Sequence, residues 1–165
     1  HMQKGHRYYL YAPDARLDQK ETKKGIEFFK QFVELYPESP YAEQAYKEMG
    51  ELYDKLAEKE YLSARLYYNL GTYLGNNYLS AEIIAKNALK DYPTNQYQEE
   101  LNWLILQSKY QQMLNSIDIK KEDRARETED EYYNFITEYP DSKHRNAAER
   151  IGKEAKKITH ALWKF

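Results

Sequence analysis

Residues 34–53 read ELYPESPYAEQAYKEMGELY, and the Tyr36-Pro37 pair near the start of that stretch decides how the chain folds. Proline lacks a backbone N–H and pushes the residue before it out of the helical region, so a helix must end at Tyr36. Ser39 and Pro40 then read as the cap and first turn of the next helix. The same punctuation returns in KDYPTNQYQEEL from Lys90 and in TEYPDSKHRNAAE from Thr137. Pro13, Pro37, Pro40, Pro93 and Pro140 all fall between apolar-periodic segments, and strand-like alternation is absent. The chain is expected to be all-α.

Working outward, the pattern predicts seven antiparallel helices joined by short connections. The first follows Asp18, a cap with Glu21 three residues on, and carries Ile26, Phe29, Val33 and Tyr36 on one stripe. The second, from Ser39, carries Ala42, Ala45, Met49, Leu52 and Leu56; the third, over 60–75, carries Tyr61, Ala64, Tyr68, Gly71 and Leu74. Asn76-Asn77 reads as a turn, followed by helices over 78–92 and 96–114. The polar run NSIDIKKEDR reads as a connection to helices over 121–139 and 143–162.

Both halves of the tetratricopeptide signature recur in order. Tyr46-x2-Met49-Gly50-x2-Tyr53 and Trp103-x2-Leu106-Gln107-x2-Tyr110 match its first helix, and Ala64-x3-Tyr68 matches its second. Small residues would let paired helices approach, aromatics would fill the gap between pairs, and proline would end each pair. The fold expected is a tetratricopeptide-like solenoid, right-handed and gently curved. The steps from Pro37 to Pro93 and from Pro93 to Pro140 exceed the roughly 34 residues of an ideal repeat. One extra helix accounts for the first excess and the polar run near 115–124 for the second. Residues 1–17 read as a tag remnant (His1-Met2) and an N-terminal edge segment, and 18–165 as one repeat domain. A truncated solenoid exposes the face its missing neighbour covered, so Tyr8, Tyr9, Tyr11 and Phe28 or Phe32 are expected to be exposed or self-covering.

The 18 tyrosines suit a thin two-layer protein, where packing residues keep their hydroxyls wet. A net charge of −2 offers no field for nucleic acid, and no run of about 18 apolar residues could span a membrane as a helix. The absence of cysteine rules out disulfides, thiolate metal sites and Cys nucleophiles. Metalloprotease, nucleophile-elbow and phosphate-loop patterns are missing. Paired carboxylates such as Glu99-Glu100 read as solvated helix faces. No catalytic, cofactor-binding or metal-binding residue is expected, and no enzyme. Charge is uneven: residues 34–60 are acidic, whereas 143–165 carry seven bases against Glu149 and Glu154.

The run from Leu56 to Met113 resembles the BamD family of outer-membrane assembly lipoproteins. The resemblance rests on Leu56-Ala57 with Glu60-Tyr61, on Tyr67-Tyr68 with Gly71, and on Asp91-Tyr92-Pro93. FVELYPESPYAEQA and RLDQKET upstream are similar to family segments, extending coverage to about residues 16–160. The resemblance implies a scaffold of five repeats, held in the outer membrane by an N-terminal lipid anchor that this chain lacks. Its partners would be the periplasmic POTRA domain of the β-barrel insertase and unfolded outer-membrane proteins. In some members a basic residue within the helix ending Asp-Tyr-Pro takes part in docking; here that position is Ile84. Lys86, Lys90 and Arg145 are the candidate partner-binding residues. The competing reading is a repeat adaptor that holds a peptide in its concave groove, for which the first helices offer mainly Lys47, Asn102 and Lys109.

Overall fold

The computed structural model describes residues 1–10, 12, 14 and 18–161. Among them are seven helices and no strand: α1 (Met2–Leu10), α2 (Lys20–Leu35), α3 (Ala42–Leu70), α4 (Asn77–Asp91), α5 (Gln98–Leu114), α6 (Asp118–Glu138) and α7 (Arg145–Ala161). Each helix packs on the next. Beyond that, α1 touches α3, α3 touches α5 and α5 touches α7, while no even-numbered pair is in contact. The chain is a helical solenoid with odd helices in the inner layer and even helices outside.

The repeated Tyr-Pro serves one purpose. It ends every even helix, and with one geometry: Tyr36 (φ −132, ψ 58), Tyr92 (φ −128, ψ 68) and Tyr139 (φ −126, ψ 64). Each donates its backbone N–H to the carbonyl four residues back, at 2.8, 2.9 and 2.8 Å. Only then does the following proline force the chain out of the helix. After Tyr36 and Tyr139 a serine turn repeats, with the Oγ of Ser39 accepting from the Tyr41 N–H (3.2 Å) and that of Ser142 from the His144 N–H (3.0 Å). Helix α3 therefore starts at Ala42, later than a Ser39 cap would give. At the other edge α3 ends on Gly71, whose φ of 59 and contact with the Tyr78 hydroxyl exclude a side chain.

The helices are seven, but not the seven read from the pattern. The expected second and third are one helix, the 29-residue α3. Nothing in Leu56-Ala57-Glu58-Lys59-Glu60 can stop a helix, so it continues. The excess between Pro37 and Pro93 lies in the length of α3 and not in an additional helix. The polar run is no connection either, because Asp118 to Arg124 form the first turns of α6. Asp118 favours the helix N-terminus. The Arg124 guanidinium ties those turns to α5, donating to the Gln112 carbonyl (3.2 Å) and to Ser116 Oγ (2.8 Å).

The remaining helix, α1, lies within residues 1–17. Its Gly5 rests on the ring of Phe29, so close that a Cβ there would meet ring carbons at 2.8 Å. His6 Nδ1 lies 2.7 Å from the buried Glu48 carboxylate, and Tyr9 bonds to Glu51, tying α1 to α3. Tyr8 stacks on Phe28 with ring centroids 5.5 Å apart, both half-buried, while Phe32 is buried in the core. This edge covers itself; Tyr11 lies outside the described residues.

Helix α3 joins two packing regions. Along its first half Ala45, Leu52 and Leu56 bury against Ile26, Phe29 and Phe32 of α2. Along its second half Ala64 packs with Ala85 and Ala88 of α4 and Leu101, Leu104 and Ile105 of α5. A third cluster pairs Trp103 and Leu106 with Tyr132, Phe135, Ala148 and Ile151. The signature at Tyr46 is not used as a repeat would use it: Tyr46 is 55% exposed and a Cβ at Gly50 would touch nothing. The α4–α5 junction reaches α3 only at Tyr53, beside Tyr92, and at Asp54, whose Oδ1 accepts the Gln96 N–H at 3.0 Å. The two earlier residues on that face lie before the junction and stay uncovered.

Candidate partner-binding surfaces

The inner layer forms a groove where α3, α5 and α7 face one side. Its larger part, about 560 Å³, is lined by Tyr68, Trp103, Tyr110 and Gln111, with Arg150, Lys153 and Lys157 along the α7 wall. A smaller part of about 270 Å³ shares Tyr68, Trp103 and Gln107 and adds Tyr61, Arg65 and Glu100. The helical spacing of Trp103, Gln107 and Tyr110 on α5 puts aromatic and amide groups along the floor. Burial pushes the Tyr68 phenol above its usual range, partly opposed by its hydrogen bond with Gln111, so the groove keeps a neutral hydroxyl.

The acids of this groove are engaged. Glu100 Oε1 lies 2.8 Å from His144 Nε2 and 3.6 Å from Lys143 Nζ, and the His144 ring stacks on Trp103 at 4.8 Å. Glu154 pairs with Lys157 at 3.1 Å. Arg65, Arg150 and Lys153 have no ion-pair partner among the described residues and are exposed. The groove therefore presents uncompensated cations beside aromatic rings. This suits an extended segment carrying carboxylates and apolar side chains.

Sequence reasoning did not find these cations, because Arg65 and Arg150 come together only through the curvature of the array. The residues it considered for such a groove lie elsewhere or are occupied. Lys109 pairs with Glu131 at 3.5 Å, Asn102 donates to the Gln98 carbonyl (2.8 Å) and the Tyr139 hydroxyl (3.2 Å), and Lys47 sits on the first half of α3.

Lys86 and Lys90, four apart on α4, share one exposed face of the outer layer. Lys86 lies 3.7 Å from Glu82, while Lys90 has no ion-pair partner among the described residues. Ile84 is half-buried against the α3–α4–α5 cluster. Arg145 is on α7, which α4 does not touch. Its guanidinium closes the α6–α7 turn, donating to the Pro140 carbonyl at 2.7 Å and to Glu149 Oε1 at 3.0 Å. The structure thus brings the two lysines together and keeps Arg145 apart. Much of the basic charge of α7 is likewise spent locally, as where Lys156 lies over the Tyr132 and Tyr133 rings at 5.2 and 4.8 Å. Among the described residues no cluster of His, Asp and Glu could hold a metal ion, and no helix is long and apolar enough to cross a membrane.

Comparison with known families matches residues 2–75 to the family YfiO, outer membrane lipoprotein. No curated protein matches. The matched region spans α1, α2 and the whole of α3, and overlaps the run from Leu56 only as far as Gly75. It supports a BamD-like helical-repeat protein associated with the outer membrane.

Proposed function

We propose that this chain is a non-enzymatic scaffold subunit of the machinery that assembles β-barrel proteins in the outer membrane. It docks the periplasmic POTRA region of the insertase and assists delivery of unfolded substrates. The observation that carries the reading is the family match across α1–α3, the unit on which the rest of the solenoid is built. In this reading the Lys86–Lys90 face of α4 meets the folded partner as charged rim, while apolar anchors carry affinity. Reversing both charges, Lys86→Glu with Lys90→Glu, should slow association with the isolated POTRA region by about tenfold at low salt and flatten its salt response. Helix content should be unchanged, since exposed ion pairs contribute only about 0–1 kcal/mol. Biosensor kinetics at two salt concentrations read this out, and an unchanged association rate would move the docking face elsewhere.

The inner groove supports a second role, holding an extended peptide segment, as in a repeat adaptor. The observation favouring it is the set of unpaired cations, Arg65, Arg150 and Lys153, beside Tyr68, Trp103 and Tyr110. Arg150→Glu with Lys153→Glu is expected to weaken capture of a labelled, acidic, unfolded outer-membrane protein segment by about tenfold or more, roughly one charge-assisted hydrogen bond. Fluorescence anisotropy that stays the same would exclude the groove as the substrate path.

A further inference from the structure

Although 32% of the chain is charged, the run from Leu66 to Ala81 carries no charged side chain at all. This run forms the end of α3, the turn, and the start of α4. At its tip Tyr73 is 67% exposed and Leu74 is 90% exposed. Leu74 is also the one non-glycine residue with positive φ among those described, at 57. A branched apolar residue is thus held in a conformation it disfavours and given no packing in return. The turn is closed beneath it by the Asn77 N–H donating to the Gly71 carbonyl at 2.9 Å.

The neighbouring inner-to-outer connection, between α5 and α6, has the same character. Ile117 is 67% and Ile119 84% exposed. The two connections lie at one edge of the solenoid, joined by Asn76 Nδ2 donating to Gln112 Oε1 at 3.3 Å. These four residues are the most exposed large apolar side chains of the described structure, and all four project from loop tips or a helix start at this edge. Lys120 and Lys121 follow Ile119 with no ion-pair partner among the described residues. Of the nearby acids, Glu122 is taken by Arg126, leaving Asp118.

We propose that this edge is a membrane-surface contact, with Tyr73, Leu74, Ile117 and Ile119 entering the interface of an anionic bilayer and Lys120 and Lys121 meeting its headgroups. The inference rests on the membrane association in the proposed function, and goes beyond it by giving the protein its own lipid contact. Isolated projecting side chains suit a fluid interface, which needs no matching pocket for each, whereas a protein partner would have to supply separate pockets for two tips. Leu and Ile insert at the acyl boundary, Tyr rests at headgroup depth, and nearby lysines are drawn to anionic lipid.

The test is co-sedimentation of the whole chain with vesicles of phosphatidylethanolamine and phosphatidylglycerol, and with vesicles of phosphatidylcholine alone. Binding is expected to the anionic vesicles and to be weaker on the neutral ones. Leu74→Asp with Ile119→Asp should reduce partition by about tenfold or more. Lys120→Glu with Lys121→Glu should reduce it only on the anionic vesicles. All substituted positions are exposed, and an unchanged circular dichroism spectrum confirms folding. Partition absent from the parent chain, or equal in parent and Asp variants, overturns the proposal. If the Asp variants instead lose binding to the POTRA region with no vesicle effect, the edge is a protein-docking surface. POTRA binding is measured without lipid, so failure of the scaffold reading and failure of the lipid contact are read separately.

Discussion

Phe29→Ala is expected to cost about 3–5 kcal/mol and to open one end of the molecule while leaving the other folded. The ring is fully buried in the cluster formed by Ile26, Phe32, Ala45, Leu52 and Leu56, with Gly5 of α1 resting on its face. Removing it leaves a cavity that Gly5 has no side chain to fill. The loss should be local, because α1 and α2 touch each other and α3 but none of α4–α7, and a solenoid couples only neighbouring units. Hydrogen exchange should show α1, α2 and the first half of α3 losing protection, while α5–α7 keep theirs. Denaturation should become broader or split into two steps. Equal loss of protection along the whole chain would show that the array unfolds as a single unit.

Lys59→Pro is expected to be comparably severe, at about 3 kcal/mol or more, for a different reason. Residue 59 lies inside α3, between the stretch packed on α2 and the stretch packed on α4 and α5. Proline there removes an intrahelical hydrogen bond and drives its ring against the carbonyl of Lys55. The Lys59 side chain makes no ion pair among the described residues, so Lys59→Ala should be close to neutral and isolates the backbone effect. Since α3 alone links α1 and α2 to the later helices, a kink should also change the relative placement of the two ends. Small-angle scattering would show it as a changed maximum dimension, alongside a lower melting temperature. A Pro variant that behaves like the Ala variant would mean that α3 is already broken in solution.

Both predictions turn on α3, where reading the sequence and reading the structure part company. The outer helices' ends were legible because a Tyr-Pro stop acts locally. Proline restricts the residue before it whatever lies around, and Tyr36, Tyr92 and Tyr139 adopt nearly the same backbone angles. The stripes were legible for the same kind of reason. Ile26 and Phe29, Ala81, Ala85 and Ala88, and Leu101, Leu104 and Ile105 all face inward as their 3.6-residue period requires. Repeat length is not such a signal. No residue between Leu56 and Glu60 stops a helix, and the Tyr46 signature did not supply the turn that a regular period calls for.

Of the candidate site residues, the pairing of Lys86 with Lys90 on one face follows from their spacing alone. That the Arg145 guanidinium closes a turn, and that Arg65, Arg150 and Lys153 border one groove, follows from the neighbours each helix meets. The sequence by itself therefore determined an all-helical chain, where its outer helices stop, and which stripe each turns inward. These depend on proline sterics and helical period, which act over a few residues. Tertiary structure alone decided that α3 runs unbroken, that residues 2–10 pack as a helix on Phe29, and which charges remain unpaired. Those outcomes depend on which surfaces arrive opposite one another, and covering a face or pairing a charge is settled by residues about forty positions away, as with His6 and Glu48 or Glu100 and His144.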